Sequence, residues 1–217
     1  MLALRGISKD AVYLLPMYEE GNVAKDAAAW FYDALGGQAL VQEIIAKYET
    51  NINLLSDNDK NEPKTAVLYS GSFNPFMMAL DKRHDFNVDT IITLGGPSFN
   101  GTIFQGENTN PNLKKIYNIY GSEDGVPLAR KNKSFSNIEV INIKILGATH
   151  FDYFYDANRG LINDKSSKFV EDLTKATLDH DEVMITNLLH EKGTTYDIKT
   201  KTYIIDISDS SFDRHDR

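Results

Sequence analysis

Three residues able to share one reaction stand at corresponding places along this chain. Ser72 comes just past the apolar run TAVLYS, Asp124 lies in GSEDGVP after KKIYNIYG, and His150 lies in GATHF after IEVINIKILG. A serine hydroxyl is a weak nucleophile at neutral pH. A histidine that takes its proton, held in place by a carboxylate, lets it attack an acyl carbon. Taken singly, each residue is most simply a turn former, a solvated group or a satisfied core histidine. What joins them is their arrival at successive strand ends in the order Ser, Asp, His. The other histidines, His84, His180, His190 and His215, sit in polar or helical surroundings and read as solvated or structural.

The elements that must position these residues are short, nearly continuous apolar runs ending at small residues. AVYLLPM (11–17), TAVLYS (65–70), VDTIITLGG (88–96), KKIYNIYG (114–121) and IEVINIKILG (138–147) read as strands. Runs of this kind suit a sheet buried on both faces. A helical segment over 26–55, interrupted at Gly36 and Gly37, separates the first two, and Trp30 with Ala27, Phe31, Ala34 and Leu35 at helical spacings reads as core. NPFMMAL opens a further helix, with Pro75 tolerated in its first turn. Residues 164–192 predict one or two amphipathic helices, TTYDIKTKTYIIDI a short hairpin or single edge strand, and SDSSFDRHDR a mobile tail. The fold class is α/β, a mostly parallel sheet flanked by helices, in a single domain over 1–207 with the tail at 208–217. In such a sheet, function collects past the carboxyl ends of the strands.

Composition narrows the chemistry. With 217 residues, 41% of them hydrophobic, the chain can bury a substantial core. Its net charge of −8 leaves no basic stripe to displace counterions, so nucleic acid is not an expected partner. The absence of cysteine excludes disulfides, thiolate nucleophiles and cysteine metal sites, and leaves the compartment open. No apolar stretch approaches the roughly 20 residues of a membrane helix, and the first residues lack a signal-peptide pattern, so a soluble chain is expected. SDNDKNEP (56–63) has an Asp-x-Asp spacing but lacks the glycine and distal glutamate of a calcium loop. It reads as solvated, and neither metal nor cofactor is expected.

With these motifs in place, the chain resembles the α/β-hydrolase family over about residues 64–156. Ser70-Gly71-Ser72-Phe73-Asn74 is similar to the family's small-x-Ser-x-small nucleophile elbow, with Ser72 as nucleophile and Asn74 in place of the usual glycine. Small neighbours are required because the elbow is tight and strained. GSEDGVP is similar to the family's acid turn, with Asp124 preferred to Glu123, and GATHF to its histidine turn. LGGPSFNG (94–101) resembles the Leu-Gly-Thr-Pro-His-x-Gly stretch of lipase-like members.

The resemblance implies a lipase- or esterase-like serine hydrolase. It would cleave a small-molecule or lipid carboxylic ester through an acyl-enzyme, with Ser72 as nucleophile, His150 as base and Asp124 as its orienting acid. It also implies the backbone N–H of Phe73 as one oxyanion donor. If AVYLLPM is the oxyanion strand, the backbone around Met17 and Tyr18 supplies the second; if it is the next strand over, the N-terminal part is shortened and that strand has no counterpart. SFNGTIFQGENTNPNL (98–113) reads as an irregular loop in place of a helical lid. Two other readings use the same framework: a non-catalytic hydrolase-fold binding module of a larger protein, and an acyltransferase with the same triad.

Overall fold

The computed structural model describes residues 39–54, 60–96, 110–126, 132–150, 152–153 and 164–206. In chain order the elements are α1 (Ala39–Asn53), β1 (Lys64–Tyr69), a 3-10 turn (Ser70–Ser72), α2 (Phe73–Lys82), β2 (Val88–Leu94), β3 (Lys115–Gly121), β4 (Glu139–Leu146), α3 (Asp164–Leu178), α4 (Glu182–Leu189), β5 (Thr194–Asp197) and β6 (Thr202–Asp206). The expected strand at 11–17 with Met17 and Tyr18, the core reading of Trp30, most of the loop at 98–113 and the tail at 208–217 lie outside the described residues.

The class is α/β. The described strands form one six-stranded sheet in the order β1-β2-β3-β4-β6-β5. All neighbours run parallel except β5 and β6. Residues 194–206 form the expected hairpin, and its second strand docks parallel on β4, which leaves β5 at the sheet edge. The stretch from 164 folds as two helices, and Asp181 caps the second by accepting from the backbone N–H of Met184 at 2.9 Å.

Successive side chains of β2 show why its sequence is apolar without alternation. Ile91 and Ile92 are both fully buried, yet they belong to different clusters. A strand turns neighbouring residues to opposite faces, so helices must cover both. Ile91 packs with Val41 and Ile44 of α1 and with Phe76, Met77 and Leu80 of α2. Ile92 packs with Phe169, Val170 and Leu173 of α3 and with Leu188 of α4. Each such side chain contributes roughly 1.5–3 kcal/mol of transfer free energy.

One row breaks the apolar pattern. Thr93, Asn118, Asn142 and Thr202 are register partners across β2, β3, β4 and β6, and all four are buried. They share the face of Ile91, two residues from Thr93 along the strand. Polar side chains in this position need bonded partners. Asn118 donates through Nδ2 to Asn142 Oδ1 at 2.7 Å, and residues 132 and 133 supply most of the rest.

Candidate active site

Asp124 and His150 meet at the carboxyl ends of β3 and β4. His150 Nδ1 lies 2.9 Å and 3.0 Å from the two carboxylate oxygens of Asp124. Asp124 is fully buried and His150 is 8% exposed. Because a carboxylate only accepts, the ring proton belongs on Nδ1, and the neutral imidazole carries its lone pair on Nε2. Burial opposes the charge of Asp124, but the hydrogen bonds from His150, the Val126 N–H and the Tyr153 hydroxyl outweigh it. The carboxyl is held below its ordinary range.

The two turns carrying this pair are braced main chain against main chain. Ser122 N–H donates to Ile145 O at 2.9 Å and Glu123 N–H to Ala148 O at 3.0 Å. A Cβ at Gly121 would stand 2.1 Å from the Ala148 carbonyl oxygen, so the approach requires glycine. The histidine turn is closed by Asp152, whose Oδ2 accepts from the Thr149 N–H at 2.7 Å and its hydroxyl at 2.8 Å. Gly95, after β2, has φ +58°, and a Cβ there would lie 2.8 Å from Asp124 Oδ2 and 2.9 Å from His150 Nδ1. Absence of a side chain at this position lets the pair close over the end of β2.

The serines follow the end of β1. Tyr69, the last residue of that strand, lays its ring against the His150 imidazole with centroids 4.9 Å apart, and its hydroxyl donates to the His150 carbonyl at 3.0 Å. Ser70 follows with φ +52°. A non-glycine residue in this region stores about 1–3 kcal/mol of strain. The other described non-glycine residues with positive φ, His180 and Lys201, lie in exposed turns. Ser72, the nucleophile expected from the motif, has φ −71° and ψ −19°, ordinary helical angles, and its hydroxyl donates to the Tyr69 carbonyl at 2.6 Å. The expected oxyanion donor Phe73 is the first residue of α2, its ring buried. Asn74 occupies the first helical turn, 2% exposed, with neither amide atom hydrogen-bonded.

Three side chains of the site escaped the motif. Tyr153, fully buried, donates to Asp124 Oδ2 at 2.9 Å and accepts from the Gly121 N–H at 2.7 Å. Burial and the neighbouring carboxylate hold its phenol well above the ordinary range, so it stays a donor to Asp124. Tyr69 orients His150 from the other side. Aromatic residues flanking the serine and histidine motifs were the available signal for both. Lys133 carried none, since RKNKSF reads as a polar loop, yet it is 4% exposed. Its Nζ donates to the Gly96 carbonyl at 2.7 Å and to Asn118 Oδ1 at 2.8 Å, and it stands 4.8 Å from the Phe73 ring centroid.

Among the described residues, no group of three or more His, Asp or Glu side chains is placed to hold a metal ion. None of the described helices is long and apolar enough to cross a membrane. Compared with known proteins, the chain matches no family model, no curated protein and no solved structure.

Proposed function

We propose that this chain is a serine hydrolase of the α/β-hydrolase kind, cleaving a carboxylic ester through an acyl-enzyme. The observation that carries the reading is the buried Asp124 carboxylate facing His150 Nδ1, at the carboxyl ends of parallel strands and against Tyr69, the residue that leads into the strained serine turn. Strain persists where the surrounding structure over-determines it, and it concentrates where chemistry is done. The strained serine is Ser70, directly after the strand, whereas the Ser72 hydroxyl is engaged by the Tyr69 carbonyl. We therefore assign the nucleophile to Ser70 and a bracing role in the turn to Ser72.

In this reading, His150 Nε2 takes the Ser70 proton as the oxygen attacks the acyl carbon, and Asp124 stabilises the imidazolium that forms. The N–H of Gly71, the residue after Ser70, donates to the developing oxyanion. The imidazolium then protonates the leaving alcohol, and water activated by the same ring releases the acid. A carboxylic ester is the substrate class, a small molecule or a lipid.

The deciding experiment is labelling with a fluorophosphonate, followed by peptide mass mapping. Stoichiometric label on Ser70, lost in Ser70→Ala and His150→Ala and retained in Ser72→Ala, is the expected outcome. Label on Ser72 would return the nucleophile to the position that the motif names. An unlabelled protein with no turnover of p-nitrophenyl acetate would leave the binding-module reading in its place.

A further inference from the structure

Residues 132 and 133 lie along the buried polar row of the sheet and are bonded to Thr202, Asn142 and Asn118 of it. Asn132 Nδ2 donates to Thr202 Oγ1 at 2.8 Å, and its Oδ1 accepts from the Tyr120 hydroxyl at 2.7 Å. The Lys133 N–H donates to Asn142 Oδ1 at 2.9 Å, and Asn142 Nδ2 returns a bond to the Lys133 carbonyl at 3.1 Å. With its backbone pinned over β4, Lys133 extends its side chain across β3 toward the end of β2. There its Nζ holds Asn118 and the Gly96 carbonyl, beside the Phe73 ring at the start of α2.

The place it reaches joins both halves of the proposed site. Gly96 follows Gly95, the residue on which Asp124 and His150 close. On its other side, a Cβ at Gly96 would lie 3.1 Å from the Phe73 Cβ, so this backbone also abuts the helix that begins at the serine turn. We propose that Lys133 is a positioning residue, whose amine fixes the Gly96 backbone between the acid–base pair and the serine turn and so sets the distance between them. Burial of the amine without a carboxylate among its bonding partners is costly, and it draws the group down to about 7. An apolar side chain would fill the space without that cost, but it could not hold a carbonyl.

This inference rests on the serine-hydrolase reading. The test compares kcat and KM for p-nitrophenyl acetate, and the rate of fluorophosphonate labelling, in the wild type, Lys133→Met and Asn118→Ser, at a temperature where far-UV circular dichroism shows each folded. Displacement of a catalytic group by about 1 Å costs up to roughly a hundredfold in rate. Lys133→Met is expected to lower kcat and the labelling rate roughly 10- to 100-fold with KM within about threefold of the wild type. Asn118→Ser, which removes one acceptor and leaves the amine in place, is expected to show a smaller fall in the same direction. Wild-type kcat in both variants, whatever their melting temperatures, would overturn the positioning role and leave the hydrolase reading intact. If Lys133→Met does not fold, an unchanged kcat in Asn118→Ser overturns it alone. A wild type that neither labels nor turns over would overturn both.

Discussion

Replacing Lys133 by methionine removes a titrating amine from a buried site while keeping a side chain of similar length. In the folded chain the amine loses its proton near 7, against 10.5 for an ordinary lysine. Between those values the unfolded state binds more protons than the folded one, so rising pH stabilises the fold through this group. The full effect is 1.36 kcal/mol for each pH unit, and it starts at half that slope at the midpoint. From pH 7 to pH 9 the wild type therefore gains about 2 kcal/mol that Lys133→Met cannot gain. Urea unfolding of both proteins at pH 7, 8 and 9, followed by far-UV circular dichroism, measures the difference directly. Taking wild type minus variant cancels the other titrating groups, including the buried tyrosines whose ionisation opposes folding at higher pH. The gap is expected to widen in favour of the wild type as pH rises. Parallel stabilities across the three pH values would refute the argument that the amine is desolvated, since a lysine kept charged binds its proton in both states throughout this range.

Four further outcomes follow from the site. Ser72→Ala removes the bond to the Tyr69 carbonyl and is expected to cost about 1 kcal/mol in urea unfolding while fluorophosphonate labelling persists. Gly95→Ala places a methyl 2.8–2.9 Å from Asp124, His150 and Tyr153 at φ +58°, and is expected to cost about 1–3 kcal/mol and to abolish labelling. Tyr153→Phe leaves the buried Gly121 N–H without its acceptor and is expected to lower stability by about 1–3 kcal/mol. The lowered Asp124 carboxyl contributes stability present above the ordinary aspartate value near 4 and lost as pH falls below it, so Asp124→Asn is expected to flatten that part of the acid unfolding curve.

The strands were legible because burial on both faces leaves a strong mark: four apolar runs coincide with β1 to β4 to within a residue or two at either end. The meeting of Asp124 and His150 was legible for the same reason, since each follows the end of such a run. The choice between Ser70 and Ser72 was not. Both serines fit small-residue spacing, and what separates them is a backbone angle and one hydrogen bond, neither visible in residue identity. Asn118 and Asn142 hid inside apolar strands, where a lone amide reads as a blemish, and their partnership appears only through register. Lys133 shows the converse. Its neighbours in sequence are polar, while its neighbours in space come from four different segments of the chain.

The contact between Gly121 and Ala148 bears on how this chain can change over time. Acid and base ride on turns whose spacing is set by peptide groups in direct contact, not by the volumes of side chains packed between them. Substitutions of similar size among the surrounding isoleucines and leucines can therefore accumulate without moving Asp124 relative to His150. The helices and the outer strands are free to drift in sequence, while Gly121 has no room for any side chain. A distant descendant would keep Gly121 long after the rest of its core had become unrecognisable.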